Sequence, residues 1–91
     1  MNLSSQIIKD IKALHTPKGR KISGHFIAEG LRTVMTFIEH TWKPVHLYVT
    51  EQHQEQLITL DRSIPCTVVS SSTMERISAS TTPSGFLAIF K

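Results

Sequence analysis

Apolar positions along the chain alternate between two periods. Ile7, Ile8, Ile11 and Leu14 recur at helical spacing, with Lys9 and Lys12 on the other face. Ser4 or Ser5 is placed to cap this first helix, and Thr16-Pro17-Lys18-Gly19 reads as the turn that ends it. Ile22 to Ala28 reads as a strand, with Phe26 and Ile27 apolar on both faces. Gly30 marks its exit. Leu31, Val34, Met35 and Ile38 form the stripe of a second helix, stopped at Lys43-Pro44. Val45 to Val49 is a second strand, rich in β-formers. Thr50 is placed to cap a third helix running to about Leu60. Ile64 to Val69 predicts a third strand, with Pro65 at its start. Ser72-Thr73-Met74-Glu75 has the spacing of a capping box, so a short helix carrying Met74 and Ile77 follows. Ser80 to Gly85 is a loop, and Phe86 to Phe90 is a last, almost wholly apolar strand.

A helix, then three strand–helix pairs, then a strand is the order of an α/β domain. It predicts a mostly parallel four-stranded sheet with helices on both faces and right-handed crossovers. The chain of 91 residues allows one domain, residues 1–91. It stops one residue beyond the last strand, which suggests the N-terminal part of a longer protein. Cys66 is the single cysteine, so no internal disulfide forms; it is expected to be a packed, inert thiol. No apolar run has the roughly 20 residues of a membrane span. Lys9, Asp10 and Lys12 argue against a signal peptide, so a cytoplasmic location is expected.

The net charge of +3 is a mild tilt toward anionic partners. Nucleotide cradles of the G-x-G-x-x-G and G-x-x-x-x-G-K-[ST] kinds are missing, as is the G-x-S-x-G elbow of hydrolases. His15, His25, His40, His46 and His53 show no metal-ligand spacing and read as surface or strand histidines. The glutamates are scattered, with no pair set for acid–base work, and Glu29 alone stands at a strand end. No catalytic, cofactor or metal residue is therefore assigned. Tyr48 and Trp42 are isolated and form no stacking platform; Trp42 is expected to cover the core beside the second helix.

Three segments are compatible with binding. In an open α/β sheet, ligands lie beyond the carboxyl ends of the strands, where Glu29-Gly30 turns into the second helix. Backbone N–H groups at that helix start, the absence of a Cβ at Gly30 and the fork of Arg32 suit a phosphate; a tight turn and a solvated charge suit the same residues equally. Lys18, Arg20 and Lys21 form a basic cluster, read as a loop before the first strand. The Ser80–Gly85 loop offers hydroxyls that can donate to a nucleic acid, or serve only as a turn.

Phe26-Ile27-Ala28-Glu29-Gly30, with Arg20 upstream, resembles the F-x-x-E-G segment of the SpoU (TrmH-type) RNA 2′-O-methyltransferases. Thr82-Pro83-Ser84-Gly85-Phe86-Leu87-Ala88 resembles that family's T-P-x-G-φ-φ-A segment, with Ser84 where glutamine is frequent. The resemblance runs from about Arg20 to Phe90 and points to the family's N-terminal substrate-binding domain. It implies a small three-layer α/β/α sandwich like that of kink-turn-binding ribosomal proteins. It implies that structured RNA, with ribosomal RNA favoured over transfer RNA and the two left open, lies against Glu29, Gly30, Leu31 and Arg32 and against Thr82, Pro83, Ser84 and Gly85. Methyl transfer from S-adenosylmethionine, the cofactor pocket and a homodimer interface are implied for a separate C-terminal catalytic domain. The alternatives are a stand-alone RNA-binding protein of ribosomal type and a protein-interaction module.

Overall fold

A computed structural model describes residues 3–60 and 62–91. The elements in chain order are α1 (Ser5–Ala13), α2 (Pro17–Ser23), β1 (Phe26–Glu29), α3 (Leu31–Glu39), β2 (His46–Val49), a 3₁₀ segment (Glu51–Thr59), β3 (Cys66–Val68), α4 (Ser71–Ile77) and β4 (Phe86–Phe90). Ser4 caps α1 by accepting from the Ile7 N–H. α2 was not expected. Thr16 and Pro17, read as a turn, instead begin a helix: the Thr16 hydroxyl accepts from the Gly19 N–H, and proline occupies the first turn, where its missing N–H costs nothing. The strand therefore starts at Phe26 and not at Ile22, which is on α2 and 76% exposed. α2 lies so close to the end of α1 that a Cβ on Gly19 would stand 1.9 Å from the Ala13 carbonyl oxygen.

The strand order is β1-β4-β2-β3. β4 lies between β1 and β2 and is antiparallel to both, and only β2 and β3 are parallel. The expected mostly parallel sheet is thus corrected to a mixed, mostly antiparallel one. The chain leaving α4 is held at the rim where β3 ended, because Ser78 and Ala79 bond the Glu29 carboxylate at the end of β1. β4 starts from the same rim at which β3 ended.

Alternation sorts β4 onto two faces. Leu87 and Ile89 join Ile8, Ile11, Met74 and Ile77 under α1 and α4. Phe86, Ala88 and Phe90 join Val34, Leu47 and Val49 under α3 and the 3₁₀ segment. All five β4 residues are buried, which explains their unbroken apolar run. Phe26, Phe37, Trp42 and Phe90 form one aromatic cluster, with ring centroids 5.1–6.4 Å apart, and Trp42 covers it from outside at 45% exposure.

Several boundaries differ from expectation. The helix expected after Thr50 is a 3₁₀ segment; Leu57 on it and Leu60, its extended C-cap, both pack against the core. The third strand shrinks to Cys66–Val68. The cap of α4 is Ser70, which accepts from the Thr73 N–H, and not Ser72. Cys66 is exposed on an edge strand instead of packed, although its surroundings still raise the thiol pKa by desolvation. Among the described residues, no helix is long and apolar enough to cross a membrane.

Candidate functional site

The C-terminal ends of β1, β2 and β3 and the start of β4 share one rim of the sheet. Both sequence signatures meet there. The Gly30 N–H donates to the Phe86 carbonyl at 2.8 Å, and the Thr50 N–H donates to the Gly85 carbonyl at 3.0 Å. The two glycine turns are therefore stitched to each other and to the end of β2.

Glu29 adds a second tie. Its carboxylate accepts from the Ser78 hydroxyl at 2.5 Å and from the Ala79 N–H at 2.9 Å. The chain leaving α4 is thereby pinned to the end of β1. Glu29 is half-buried and its oxygens are engaged within the protein.

Gly30, at φ 96°, precedes α3 and supplies no side-chain cap. The other three α-helices are capped by Ser4, Thr16 and Ser70. The first-turn N–H groups of α3 thus receive no side-chain cap; Arg32 in that turn is exposed and Leu31 half-buried. Helix N-termini of this kind attract anions. The α3 turn also carries no acidic side chain to compete.

The Thr82–Gly85 stretch forms the adjoining part of the rim. Thr82 and Ser84 are exposed and Pro83 is half-buried. The Ser84 hydroxyl donates to the Phe86 carbonyl at 3.3 Å. Gly85 sits at φ 83°, and a Cβ there would stand 2.6 Å from Thr50 Oγ1 and 2.8 Å from His53 Cδ2. Only glycine fits, because both the dihedral and the space exclude a side chain. The Thr50 hydroxyl and His53 Nδ1 lie beneath it, buried and without a hydrogen-bond partner. Thr50, expected only as a helix cap, makes no side-chain cap bond. It is a rim residue, and its position at a strand end was the signal for it.

The basic cluster is on α2, not on a loop before β1. Arg20 donates to the Leu14 carbonyl at 3.1 Å and so closes the end of α1. Lys18 and Lys21 are exposed. His15 Nε2 lies 2.7 Å from the Ile77 carbonyl, and Ser78 next to it holds Glu29. These contacts hold His15, one residue before the Thr16 cap of α2, beside the end of α4. Away from the rim, His46 stacks on Tyr48 and meets the Thr67 hydroxyl at 2.8 Å; burial lowers the His46 pKa and raises that of Tyr48. Among the described residues, no group of three His, Cys, Asp or Glu side chains is placed to hold a metal.

Comparisons with known proteins agree with this geometry. No protein of curated function matches the sequence. A protein from Porphyromonas gingivalis assigned to the TrmH family of RNA methyltransferases superposes with a TM-score of 0.84 at 24% identity, over 100% of this chain and 36% of its own. An rRNA methyltransferase from Sinorhizobium meliloti, solved with AdoMet, gives 0.79 at 29% identity, over 100% and 35%. A SpoU methyltransferase from Streptomyces viridochromogenes, also solved with AdoMet, gives 0.80 at 17% identity, over 98% and 36%. The chain spans about a third of the length of these structures. The family model described as the MRM3-like substrate binding domain matches residues 5–88. The chain belongs to that family, the substrate-binding domain of the SpoU (TrmH-type) RNA methyltransferases.

Proposed function

We propose that this chain is the RNA-holding domain of an RNA 2′-O-ribose methyltransferase acting on ribosomal rather than transfer RNA. The observation that carries the reading is the stitching of the two signature turns across one rim by the Gly30–Phe86 and Glu29–Ser78 hydrogen bonds. RNA phosphates approach the uncapped start of α3, Arg32 and Lys18, and the Thr82 and Ser84 hydroxyls meet the sugar–phosphate backbone beside them. Lys21 adds long-range attraction, and Glu29, Arg20 and Gly85 shape the rim from within. The domain performs positioning rather than bond chemistry: it holds a folded RNA so that one ribose reaches a separate catalytic domain. That domain supplies the homodimer interface, and the enzyme works in the cytoplasm.

AdoMet supplies the methyl group in such enzymes, but the residues here do not fit it. The methionine carboxylate calls for a cation or converging N–H donors. Among the described residues, the apolar groove between α1 and α2 is lined by Asp10, His25 and Tyr48 as titratable groups, the rim crevice beside Thr50 by Glu51, and neither by a Lys or Arg. No step is routed through the cofactor in this chain.

The test is fluorescence anisotropy with structured ribosomal RNA fragments at low salt. Arg32→Glu and Lys18→Glu should each weaken binding, and neutral Gln replacements should each lower the salt slope by about one. Binding no tighter than that of an uncharged α/β control protein sinks the proposal.

A further inference from the structure

β2 and β3 are neighbouring parallel strands whose connections leave the sheet on opposite faces. After β2 the 3₁₀ segment crosses to the α3 face, where Leu57 and Leu60 pack. After β3, α4 crosses to the α1 face, where Met74 and Ile77 pack. Such a divergence opens a crevice between the two strand ends, the place where open α/β sheets take their ligands. Here the crevice has a volume of about 410 Å³, with Thr50, Glu51 and Gln52 on one bank and Val68, Ser70 and Ser71 on the other. A smaller cavity of about 90 Å³ continues it past Gln52 and Ser71 to Pro83, Ser84 and Gly85. The crevice is thus contiguous with the RNA rim but differs from it in charge. Among the described residues it is lined by no Lys, Arg or His and by one ionisable group, the Glu51 carboxylate, and the smaller cavity adds a second carboxylate, Glu75.

We propose that this crevice takes one uncharged nucleoside unit of the bound RNA, and selects a base that carries an exocyclic amino group. The proposal rests on the RNA-holding reading above. The carboxylate of Glu51 repels phosphate and, being an acceptor only, is complemented by an amino donor. The Ser71 hydroxyl and the Gln52 amide both donate and accept, which suits ribose hydroxyls and the remaining base edge, while the Ser70 hydroxyl stays with Thr73 as the cap of α4. Val68 and Val69 give the base an apolar wall. Phosphates stay with Arg32 and Lys18, and a nucleotide turned out of the RNA enters beside Gly85.

Free nucleosides separate this claim from phosphate-driven RNA binding. The isotope-labelled chain is titrated with cytidine, uridine and cytidine monophosphate and followed by amide chemical shifts. Cytidine should move the Gln52, Val69, Ser70 and Ser71 signals with a millimolar dissociation constant. Uridine should bind about tenfold more weakly, the loss of one charge-assisted hydrogen bond. Glu51→Ala, an exposed position, should bring cytidine down to the uridine level while RNA binding through Arg32 and Lys18 persists. Silence at the crevice amides overturns the proposal, as does an equal response to cytidine and uridine or tighter binding of the monophosphate. Loss of salt-dependent RNA binding with the cytidine response intact would overturn the RNA-holding reading instead.

Discussion

Gly85 and Glu29 show how single residues set the rim. Gly85→Ala meets both a left-handed dihedral and the Thr50 hydroxyl at 2.6 Å, so it should cost about 2–4 kcal/mol in denaturant unfolding. An unchanged midpoint would contradict the packing described here. Glu29→Gln keeps shape but loses the charge on an acceptor of two hydrogen bonds. Amide exchange at Ala79 should quicken locally while global stability falls by only about 1–2 kcal/mol. Exchange that stays as slow as in the parent protein would mean that Glu29 does not hold the loop. The sequence marked Glu29 as set apart, because it stands at a strand end rather than on a helix face. Its partners were not legible, since Ser78 and Ala79 are about fifty residues away and no local pattern links them.

At the level of elements, the caps give a direct comparison. Ser70→Ala removes the acceptor for the Thr73 N–H and should destabilise by about 1 kcal/mol, whereas Ser72→Ala should stay within about 0.5 kcal/mol. Thermal unfolding of the two variants decides between the observed cap and the one the S-x-x-E spacing suggests. The apolar stripes of α1 and α3 and the β4 run were readable because periodicity records which face is buried. α2 escaped because its residues, from Pro17 to Ser23, bury no side chain and so leave no stripe; only Thr16 and Pro17 signalled it. The strand directions escaped for a different reason. Periodicity tells a strand from a helix but not the neighbour it pairs with, and here the tie of Ser78 and Ala79 to Glu29 keeps the chain at one rim before β4. The rim itself was half legible: the two glycine turns stood out, while Thr50 looked like an ordinary cap and Ser70 and Ser71 carried no signal of their own.

Over the whole molecule, charge and pH act together. Burial holds the His46 pKa below its ordinary value, so the folded form resists a proton that the unfolded chain accepts. The unfolded chain therefore binds more protons as the pH drops below about 6.5, and stability should fall with it. His46→Gln should flatten that acid limb in unfolding curves taken across the pH range; a limb that keeps its slope would assign the effect elsewhere. The strand order has a consequence for how the domain is made. β4, the last element, pairs with both β1 and β2, and Phe26 waits for Phe90. A nascent chain leaving the ribosome can close its first helices, but without β4 its sheet lacks a centre, the α3 face of the core lacks Phe86 and Phe90, and the α1 face lacks Leu87 and Ile89. Since Gly85 and Phe86 are also the partners of Thr50 and Gly30, the rim comes into being with β4 and has no half-built form during synthesis.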